Sequence, residues 1–314
     1  MDNVPSIAVV TGATGFAGSH LLDLLTAGGT EVHALARAGG QPPQPRDGVR
    51  WTTLNLLDAG AVERALRETR PSVIYHCAGQ AHVEDAWKMP AEALRVNALG
   101  THRLLEAWRR TGLDCRIVIA GSAQIYRPRA DAISEDGEIA PANPYGLSKL
   151  AQEMTAAASG GPVLLARPFN HAGPRQSPAY ATSAFAQQIA VIEAGRAAPV
   201  LRVGNLEAQR DITDVRDTVR AYQALAARGV PLRPYNVCSG RAHSMRELLD
   251  QLVSLARVRV RIEVDPARLR PSDIPLFVGS HARLTEDTGW TPQIPIERTL
   301  ADLLDYWRGV TAAS

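Results

Sequence analysis

A glycine-rich turn between an apolar strand and a helix is the feature that most constrains this fold. Residues 7–10 are all apolar and predict a buried strand, and residues 16–27 show the periodicity of a helix. Glycines recur every three residues in the segment that joins them, Thr11-Gly12-Ala13-Thr14-Gly15-Phe16-Ala17-Gly18. Such glycines allow a tight turn and let a diphosphate approach the backbone at the positive helix N-terminus. The sequence therefore predicts a dinucleotide site at its first strand–helix junction.

The rest of the first half alternates between short apolar runs and helical patterns. Strands are predicted at residues 31–36, 49–54, 72–76, 116–120 and 163–167, and helices at residues 61–68, 91–110 and 144–158. Because parallel strands need crossover helices and are buried on both faces, this pattern indicates a parallel sheet covered by helices. The predicted fold class is α/β, with a doubly wound parallel sheet of the Rossmann type.

The pattern changes after residue 168. Helices are predicted at residues 183–194, 213–228, 245–256 and 300–307, and strands at residues 200–203, 235–238 and 259–264. We predict a Rossmann domain at residues 1–168, rejoined by about residues 210–240, and a smaller α/β lobe at residues 169–209 and 241–314 that binds the substrate. Ligands then belong in the crevice between the lobes, at the carboxyl ends of the strands.

The charge and the cysteine content exclude several functional classes. The 34 basic and 32 acidic residues give a net charge of +2, which provides no general attraction to nucleic acid or to a membrane surface. No apolar run reaches the length of a spanning helix, and the first residues lack the pattern of a signal peptide. Cys77, Cys115 and Cys238 lie far apart, so we expect no metal site, no disulfide framework and a reducing, cytoplasmic location.

The end of the second predicted strand bears on which dinucleotide binds. An NAD site places a carboxylate there, which accepts a hydrogen bond from the ribose hydroxyl. Here the strand ends in Leu35-Ala36-Arg37, and a planar guanidinium binds phosphate oxygens in pairs. We therefore expect NADPH, bound through its 2′-phosphate. The alternative is that Arg37 is a solvated loop residue, in which case NAD remains open.

A tyrosine and a lysine one helical turn apart are the candidate catalytic pair. Tyr145 and Lys149 lie at i and i+4 of one predicted helix and therefore on one face. Only two of the 34 basic residues are lysines, Lys88 and Lys149. A nearby ammonium is expected to lower the pKa of the Tyr145 phenol, which can then exchange a proton with a sugar hydroxyl or carbonyl. Ser122 ends a predicted strand, where its hydroxyl can bind the same substrate oxygen.

Together the glycine loop, Ser122, Tyr145 and Lys149 resemble the extended short-chain dehydrogenase/reductases that act on nucleotide sugars. The resemblance covers essentially the whole chain and includes His76-Cys77-Ala78-Gly79 and Asn97-Ala98-Leu99-Gly100-Thr101. Within this family the chain is most similar to the bacterial GDP-4-dehydro-6-deoxy-D-mannose reductases, in residues 167–178, 204–211 and 268–275. Arg175 departs from the family pattern, which has a glycine at that position.

The resemblance implies two sets of ligand contacts. Cofactor contacts are implied for Gly12, Thr14, Gly15, Phe16, Ala17, Gly18, Arg37, Asn55, Leu56, Ala78, Gly79, Asn97, Tyr145, Lys149 and Pro168. Substrate contacts are implied for Gln80, His82, Ser122, Gln124, Asn170, Arg175, Arg210 and Arg270. Arg210 and Arg270 are expected to bind the diphosphate from the two sides of the crevice. A purely structural role is the alternative for four polar residues near these contacts, Asn55, Asp58, His82 and Asn170.

The family contains dehydratases, epimerases and reductases, so the fold alone does not choose between them. Family dehydratases place acidic residues just after the strand-end Ser or Thr, where this chain has Ala123 and Gln124. We therefore expect NADPH-dependent reduction of the C4 ketone of a GDP-4-keto-6-deoxyhexose, which converts GDP-4-dehydro-6-deoxy-D-mannose into GDP-D-rhamnose. The alternatives are a nucleotide-sugar 4-epimerase and a non-catalytic regulator, and the retention of Tyr145 and Lys149 disfavours the latter.

The resemblance also bears on assembly. Residues 91–110 and 144–158 carry broad apolar faces, and relatives pair these two helices across a two-fold axis as a four-helix bundle. We therefore expect a homodimer.

Overall fold

The computed structural model describes residues 7–37, 46–268 and 274–313. Its strands are β1 (Ile7–Thr11), β2 (Glu31–Ala36), β3 (Val49–Thr53), β4 (Val73–His76), β5 (Arg116–Ala120), β6 (Val163–Pro168), β7 (Asn170–Ala172), β8 (Val200–Val203), β9 (Gln209–Asp214), β10 (Pro234–Val237), β11 (Ala242–Ser244), β12 (Arg261–Val264) and β13 (Leu276–Phe277). Its helices are α1 (Phe16–Ala27), α2 (Ala59–Thr69), α3 (Val83–Lys88), α4 (Pro90–Leu94), α5 (Gly100–Thr111), α6 (Pro144–Ala158), α7 (Ala181–Glu193), α8 (Val215–Arg228), α9 (Met245–Ser254), α10 (Ala282–Thr288) and α11 (Ile296–Ala313). None of the described helices has the length and hydropathy that a membrane span requires.

Seven parallel strands form the main sheet, in the order β10-β6-β5-β4-β1-β2-β3. The predicted doubly wound α/β fold is therefore confirmed. Chain order reverses between β1 and β4, so the ends of these two strands form the crevice in which such sheets bind ligands. The glycine loop follows β1, and the predicted contacts Ala78 and Gly79 follow β4.

Both faces of the main sheet are buried, as the apolar strands predict. Val10 of β1 packs in a core with α1 and α8, and its neighbour Val9 packs in the opposite core with α2 and α5. Successive side chains of a strand point to opposite faces, so an uninterrupted apolar run is the signature of a strand covered on both sides.

The second lobe contains its own small sheet and core. Strand β9 pairs with β7, β11 and β13, while β8 pairs with β12, and α7, α9 and α11 enclose a separate apolar cluster. The helix predicted at residues 213–228 starts at Val215, because Thr213 and Asp214 still belong to β9. Asp214 caps the helix by accepting a hydrogen bond from the Arg216 N–H at 2.7 Å. We therefore propose that the chain returns to the first lobe at Val215.

The long helix predicted at residues 91–110 contains a π-helical turn at Arg95–Leu99, between α4 and α5. Helix α3, which precedes it, was not predicted. A π turn is defined by its i→i+5 backbone hydrogen bonds, which no residue type in this segment marks. Such turns occur frequently at functional sites, and this one contains the predicted cofactor contact Asn97.

Candidate active site

The glycine loop lies directly against the end of β4. Gly12 adopts φ +67°, and a Cβ atom at this position would lie 2.5 Å from the Ala78 nitrogen. Only glycine meets both conditions. Gly15 is the N-cap of α1, and no side chain of the described residues caps that helix. The amide groups of its first turn are thus left for an anion, with Thr14 and Gly15 exposed at the loop tip.

Gly79 allows the backbone after β4 to lie close to the lysine of α6. A Cβ at Gly79 would be 2.7 Å from Asn97 Oδ1 and 3.4 Å from Lys149 Nζ. Asn97 holds this backbone by accepting from the Gln80 N–H at 2.8 Å and donating to the Gln80 carbonyl at 3.0 Å. It also donates to Ser148 Oγ at 2.8 Å, which ties the loop after β4 to α6.

Ser122 and Tyr145 come together because α6 begins next to the end of β5. Asn143 caps α6 by accepting from the Gly146 N–H at 2.8 Å, and its own amide donates to Gln124 Oε1 at 3.2 Å. Ser122 is 5% exposed, its hydroxyl accepts from the Gln124 N–H at 3.1 Å, and it lies close enough to the Tyr145 phenol to influence its pKa. Gln124, predicted to contact substrate, thus has its side-chain oxygen bound to the cap of α6.

Burial sets the protonation state of Tyr145. It raises the pKa of the phenol above its usual value, and the hydrogen bond from Ser122 opposes this shift only in part. The pKa therefore moves in the direction opposite to the predicted one. Tyr145 keeps its proton at neutral pH, which is the state that a proton donor requires.

Lys149 is held beneath the loop that follows β4. Its ammonium donates to the Ala120 carbonyl at 2.9 Å and to Gln152 Oε1 at 2.9 Å. The side chain is 6% exposed, and burial lowers the pKa of Lys149 to about 8, which leaves it mostly charged at neutral pH. The positive charge of Lys149 does not offset the effect of burial on the Tyr145 pKa, so the lowering predicted from the sequence is not observed.

An open cleft of about 810 Å³ leads from Gly79 and Gln80 to Arg37 at the end of β2. Lys88 and Glu92 form part of its other wall. Arg37 is exposed. A hydrogen bond from Arg95 is the main cause that lowers the pKa of Glu92, and the positive charge of Arg37 lowers it further. The cleft thus places a guanidinium at one end and the candidate catalytic lysine near the other.

Asn55 and Asp58, which follow β3, form hydrogen bonds with the backbone of their own turn. Asn55 Oδ1 accepts from the Leu57 N–H at 3.0 Å, and Asp58 Oδ1 accepts from the Ala61 N–H at 3.0 Å as the N-cap of α2. The structural alternative therefore accounts for Asp58. Leu56 packs against the core beneath α2 and α5.

Tyr180, which no sequence motif indicated, connects the second lobe to the predicted substrate contact His82. The two rings lie 4.9 Å apart, and the Tyr180 hydroxyl donates to the Ala81 carbonyl at 3.3 Å. Gln80 stabilises the same loop by donating to the His82 carbonyl at 2.6 Å. Tyr180 also contributes to raising the pKa of Tyr145. It is 99 residues from Ala81, so no local pattern announces this contact.

Asn170 and Arg210 lie on adjacent strands of the small sheet. Asn170 of β7 is opposite Ile212 of β9, and Arg210 occupies the same face of β9 two residues earlier. Arg210 donates to the Ile274 carbonyl at 2.6 Å, whereas Asn170 is exposed. Pro168 closes the neighbouring strand β6 and pairs with Val237 of β10.

Arg175, another predicted substrate contact, does not lie in this sheet. Arg270 lies outside the described residues. Arg175 contacts α1, where its guanidinium donates to Asp23 Oδ2 at 2.5 Å and to His20 Nδ1 at 2.7 Å. Burial lowers the pKa of His20 to about 4, so the ring is neutral and accepts this bond. Arg175 also adopts φ +72°, which explains why a glycine is expected there.

Comparison with known proteins gives consistent results. The family model described as GDP-mannose 4,6 dehydratase matches residues 9–303. The chain is 37% identical to the GDP-6-deoxy-D-mannose reductase of Pseudomonas aeruginosa over 95% of this chain and 96% of that protein. The structure of RMD from Pseudomonas aeruginosa complexed with NADPH is similar with a TM-score of 0.83 and 34% identity, covering 97% of this chain and 99% of that one. A UDP-glucose 4-epimerase of Thermus thermophilus complexed with NAD has a TM-score of 0.84 and 31% identity, covering 96% and 99%.

The family model and the reductase of Pseudomonas aeruginosa both align along most of this chain. Ser122, Tyr145 and Lys149, which carried the resemblance, lie close together at the end of β5. The chain belongs to the GDP-mannose 4,6-dehydratase family of extended short-chain dehydrogenase/reductases.

Proposed function

We propose that the protein uses NADPH to reduce the C4 ketone of a GDP-4-keto-6-deoxyhexose, and that it converts GDP-4-dehydro-6-deoxy-D-mannose into GDP-D-rhamnose. The observation that carries this proposal is the pairing of the Tyr145 phenol with Ser122 at the end of β5, where residues 123 and 124 carry no acid. A reductase needs a proton donor at this position. The 37% identity to a GDP-6-deoxy-D-mannose reductase supports the choice of substrate.

The residues of the crevice fit a dinucleotide. The uncapped N-terminus of α1 suits its diphosphate, the third ammonium hydrogen of Lys149 suits a ribose hydroxyl, and Arg37 suits a 2′-phosphate. When bound, NADPH supplies the hydride that C4 accepts. The similar solved structure that contains NADPH supports this cofactor.

Tyr145 donates its proton to the C4 oxygen as that oxygen gains negative charge, so the ketone becomes a hydroxyl. Ser122 forms a hydrogen bond with the same oxygen, and the positive charge of Lys149 stabilises the tyrosinate that remains. Arg210, with Asn170 on the neighbouring strand, binds the substrate remote from C4, and this remote binding fixes the position of the sugar.

Dehydration requires an acid close to Ser122, and the chain places Ala123 and Gln124 there. Glu153 and Glu135, two carboxylates in adjoining segments, have other partners. Glu153 binds Arg167 through two hydrogen bonds of 2.9 and 2.6 Å, and Glu135 Oε1 accepts from the Asn236 N–H at 2.8 Å. These contacts favour reduction over dehydration in this family.

The direct test offers GDP-, UDP- and dTDP-linked 4-keto-6-deoxy sugars with NADPH and identifies each product by NMR. We expect NADPH to be consumed fastest with the GDP sugar, and the NMR spectrum to show which C4 epimer forms. The Tyr145→Phe variant is the control for background reduction. No consumption with any ketosugar, together with interconversion of UDP-hexoses, would show that the protein is a 4-epimerase.

The proposal includes a homodimer formed through α5 and α6. Leu147 and Met154 of α6 are 51% and 64% exposed, and Ala151 lies between them on the same face. Leu99, at the start of α5, adds a further exposed apolar side chain. An apolar face on two adjacent helices suits a two-fold contact with a second copy.

Light scattering at micromolar concentration tests this assembly. We expect the mass of a dimer for the wild type and of a monomer for the double variant Leu147→Glu, Met154→Glu. Val264→Glu changes a similarly exposed apolar residue of β12 and should leave the dimer intact. A monomeric wild-type protein would refute the assembly.

The cytoplasmic location also remains part of the proposal. The three cysteines are free thiols, which is the state expected in a reducing compartment.

A further inference from the structure

A chain of buried polar side chains leads from Lys149 to the strand that precedes the glycine loop. Lys149 Nζ donates to Gln152 Oε1 at 2.9 Å, and Gln152 Nε2 donates to Thr101 Oγ1 at 3.0 Å. Thr101 Oγ1 lies 2.8 Å from His76 Nε2, and His76 Nδ1 lies 2.7 Å from Thr11 Oγ1. The exposed fractions of these side chains run from 0% to 6%. The mechanism above uses Lys149 alone among them.

The chemistry of the donors fixes the orientation of Gln152. An ammonium can only donate, so the oxygen of Gln152 faces Lys149 and its amide nitrogen faces Thr101. The single hydrogen of the Thr101 hydroxyl goes to the Asn97 carbonyl at 2.7 Å. Thr101 therefore accepts from both Gln152 and His76.

The same reasoning fixes the tautomer of His76. Its hydrogen lies on Nε2, because Thr101 has none left to donate. Burial lowers the pKa of His76 to about 3, so the ring is neutral and Nδ1 accepts from the Thr11 hydroxyl. Thr11 Oγ1 in turn accepts from the Ala78 N–H at 3.2 Å. One arrangement of hydrogens thus gives every group of the chain a partner.

We propose that Gln152 is a positioning residue, which holds the Lys149 ammonium beneath Gly79 and is itself kept in one orientation by Thr101. The inference rests on the proposed function for the role of Lys149 as a ribose ligand. Two ammonium hydrogens go to Gln152 and the Ala120 carbonyl, and the third is left for the ribose. Without Gln152, the ammonium has one acceptor fewer and no fixed direction toward the cleft.

Among the described residues, the titratable groups that influence Lys149 are neutral. His76 ends β4, Cys77 follows it, and Tyr145 precedes Lys149 by one turn on α6. Burial raises the pKa of Cys77 to about 12 and keeps the thiol neutral, and His76 and Tyr145 are neutral as well. A change of charge at Gln152 therefore acts directly on the ammonium.

The pKa of Lys149 can be measured directly because the chain contains two lysines. Lys88 and Lys149 are its only lysines, so protein labelled with [ε-¹³C]lysine gives two side-chain signals, and Lys88→Arg assigns them. The ¹³C shift followed against pH gives the pKa of Lys149 without any ligand. We expect Gln152→Leu, which removes an acceptor, to lower this pKa by about one unit, and Gln152→Glu, which adds a carboxylate, to raise it by about one unit.

The variant Thr101→Val should lower the pKa of Lys149 by less than Gln152→Leu does, because the amide keeps its place but loses the partner that fixes it. The Lys88 signal is the internal reference and should not move in any variant. Equal pKa values of Lys149 in the wild type, Gln152→Leu and Gln152→Glu would overturn the proposal. Gln152→Glu is isosteric with the wild type, so the test survives even if the leucine variant fails to fold.

NADPH affinity, measured by quenching of protein fluorescence, gives a second readout. We expect Gln152→Leu to weaken NADPH about tenfold, the usual effect of losing one well-placed hydrogen bond. Gln188→Leu removes the same kind of side chain from α7, where it bonds to the backbone of Arg202, and should leave the affinity unchanged. If Gln152→Leu and Gln152→Glu shift the pKa of Lys149 in opposite directions but the protein reduces no ketosugar, the role of Gln152 is supported and the proposed reductase activity is refuted.

Discussion

Lys149, at the floor of the crevice, is 6% exposed and bound to two protein acceptors, whereas Arg37, at the rim, is exposed and lines an open cleft. The same contrast separates Ser122, which is buried against Tyr145, from Asn170, which is exposed on β7. Buried polar groups need partners within the protein, and exposed ones are satisfied by water until a ligand displaces it. The proposed proton-transfer groups are thus fixed before ligands bind, whereas the exposed side chains of Arg37 and Asn170 are not.

This difference predicts which kinetic or binding constant each substitution changes. At the floor, a change to Tyr145 or Ser122 removes an interaction made only in the transition state and lowers kcat. A change at the rim removes binding energy that substrate and transition state share, so it raises KM or Kd. Each prediction below tests that division, from the largest effect to the smallest.

Tyr145→Phe should lower kcat by about 10²–10⁴-fold, because it removes the proton donor and leaves the ring in place. NADPH affinity, measured by fluorescence, should stay within about threefold of the wild type, since the phenol is not the main cofactor ligand. Tyr306→Phe, on α11 of the second lobe, is the matched control and should be fully active. An equal loss of NADPH affinity and turnover would contradict the division into floor residues that act on kcat and rim residues that act on binding.

Arg210→Ala should raise KM for the GDP sugar by about 10–100-fold, the effect of losing a charge-assisted hydrogen bond to phosphate, with kcat little changed. Steady-state kinetics at saturating NADPH provide the measurement. Arg261→Ala removes an exposed arginine of β12 that pairs with Glu263 at 2.7 Å, and it should have no effect. A fall in kcat at unchanged KM would show that Arg210 acts in the transition state, as Tyr145 is proposed to do, and would contradict its role in binding.

Arg37→Ala should weaken NADPH about tenfold and leave NADH unchanged, because only NADPH has a phosphate on the adenosine ribose. Titration with both cofactors measures this ratio. Lys88→Ala, on the opposite wall of the cleft, serves as comparison and should change it less, since Lys88 pairs with Glu84 at 2.7 Å. Tighter binding of NADH than NADPH by the wild type would contradict the cofactor assignment.

Tyr180→Phe should produce the smallest effect, a rise in KM of about two- to fivefold, because it removes one neutral hydrogen bond to the Ala81 carbonyl and keeps the ring against His82. Tyr180→Ala should raise KM further, since the ring contact is lost as well. Identical kinetics for the two variants would show that the ring itself does not contribute.

The sequence predicted the parts of the site that depend on local patterns. The glycine loop occupies the turn between β1 and α1, and Tyr145 and Lys149 lie on α6, whose predicted and observed bounds agree. It missed the π turn at Arg95–Leu99, because no residue type marks the i→i+5 hydrogen bonds of such a turn. It also extended a helix into Thr213 and Asp214, where pairing with β7 keeps the chain extended.

Side-chain partners that come from distant parts of the chain were not predicted. Arg175 stays a predicted substrate contact, and its guanidinium binds His20, 155 residues away, which no local pattern indicated. The pKa of Tyr145 was expected to fall, and burial raises it. Neither the partner of a guanidinium nor the burial of a phenol is encoded near the residue itself.

By itself the sequence determined the parallel α/β sheet, the glycine loop and the Tyr145–Lys149 pair, because periodicity and turn chemistry act over a few residues. Only the tertiary structure decided what surrounds that pair. It placed Gln152 against Thr101, 51 residues away, and so linked Lys149 to the end of β1. Such contacts require α5 and α6 to pack together, and burial then makes each polar partner obligatory.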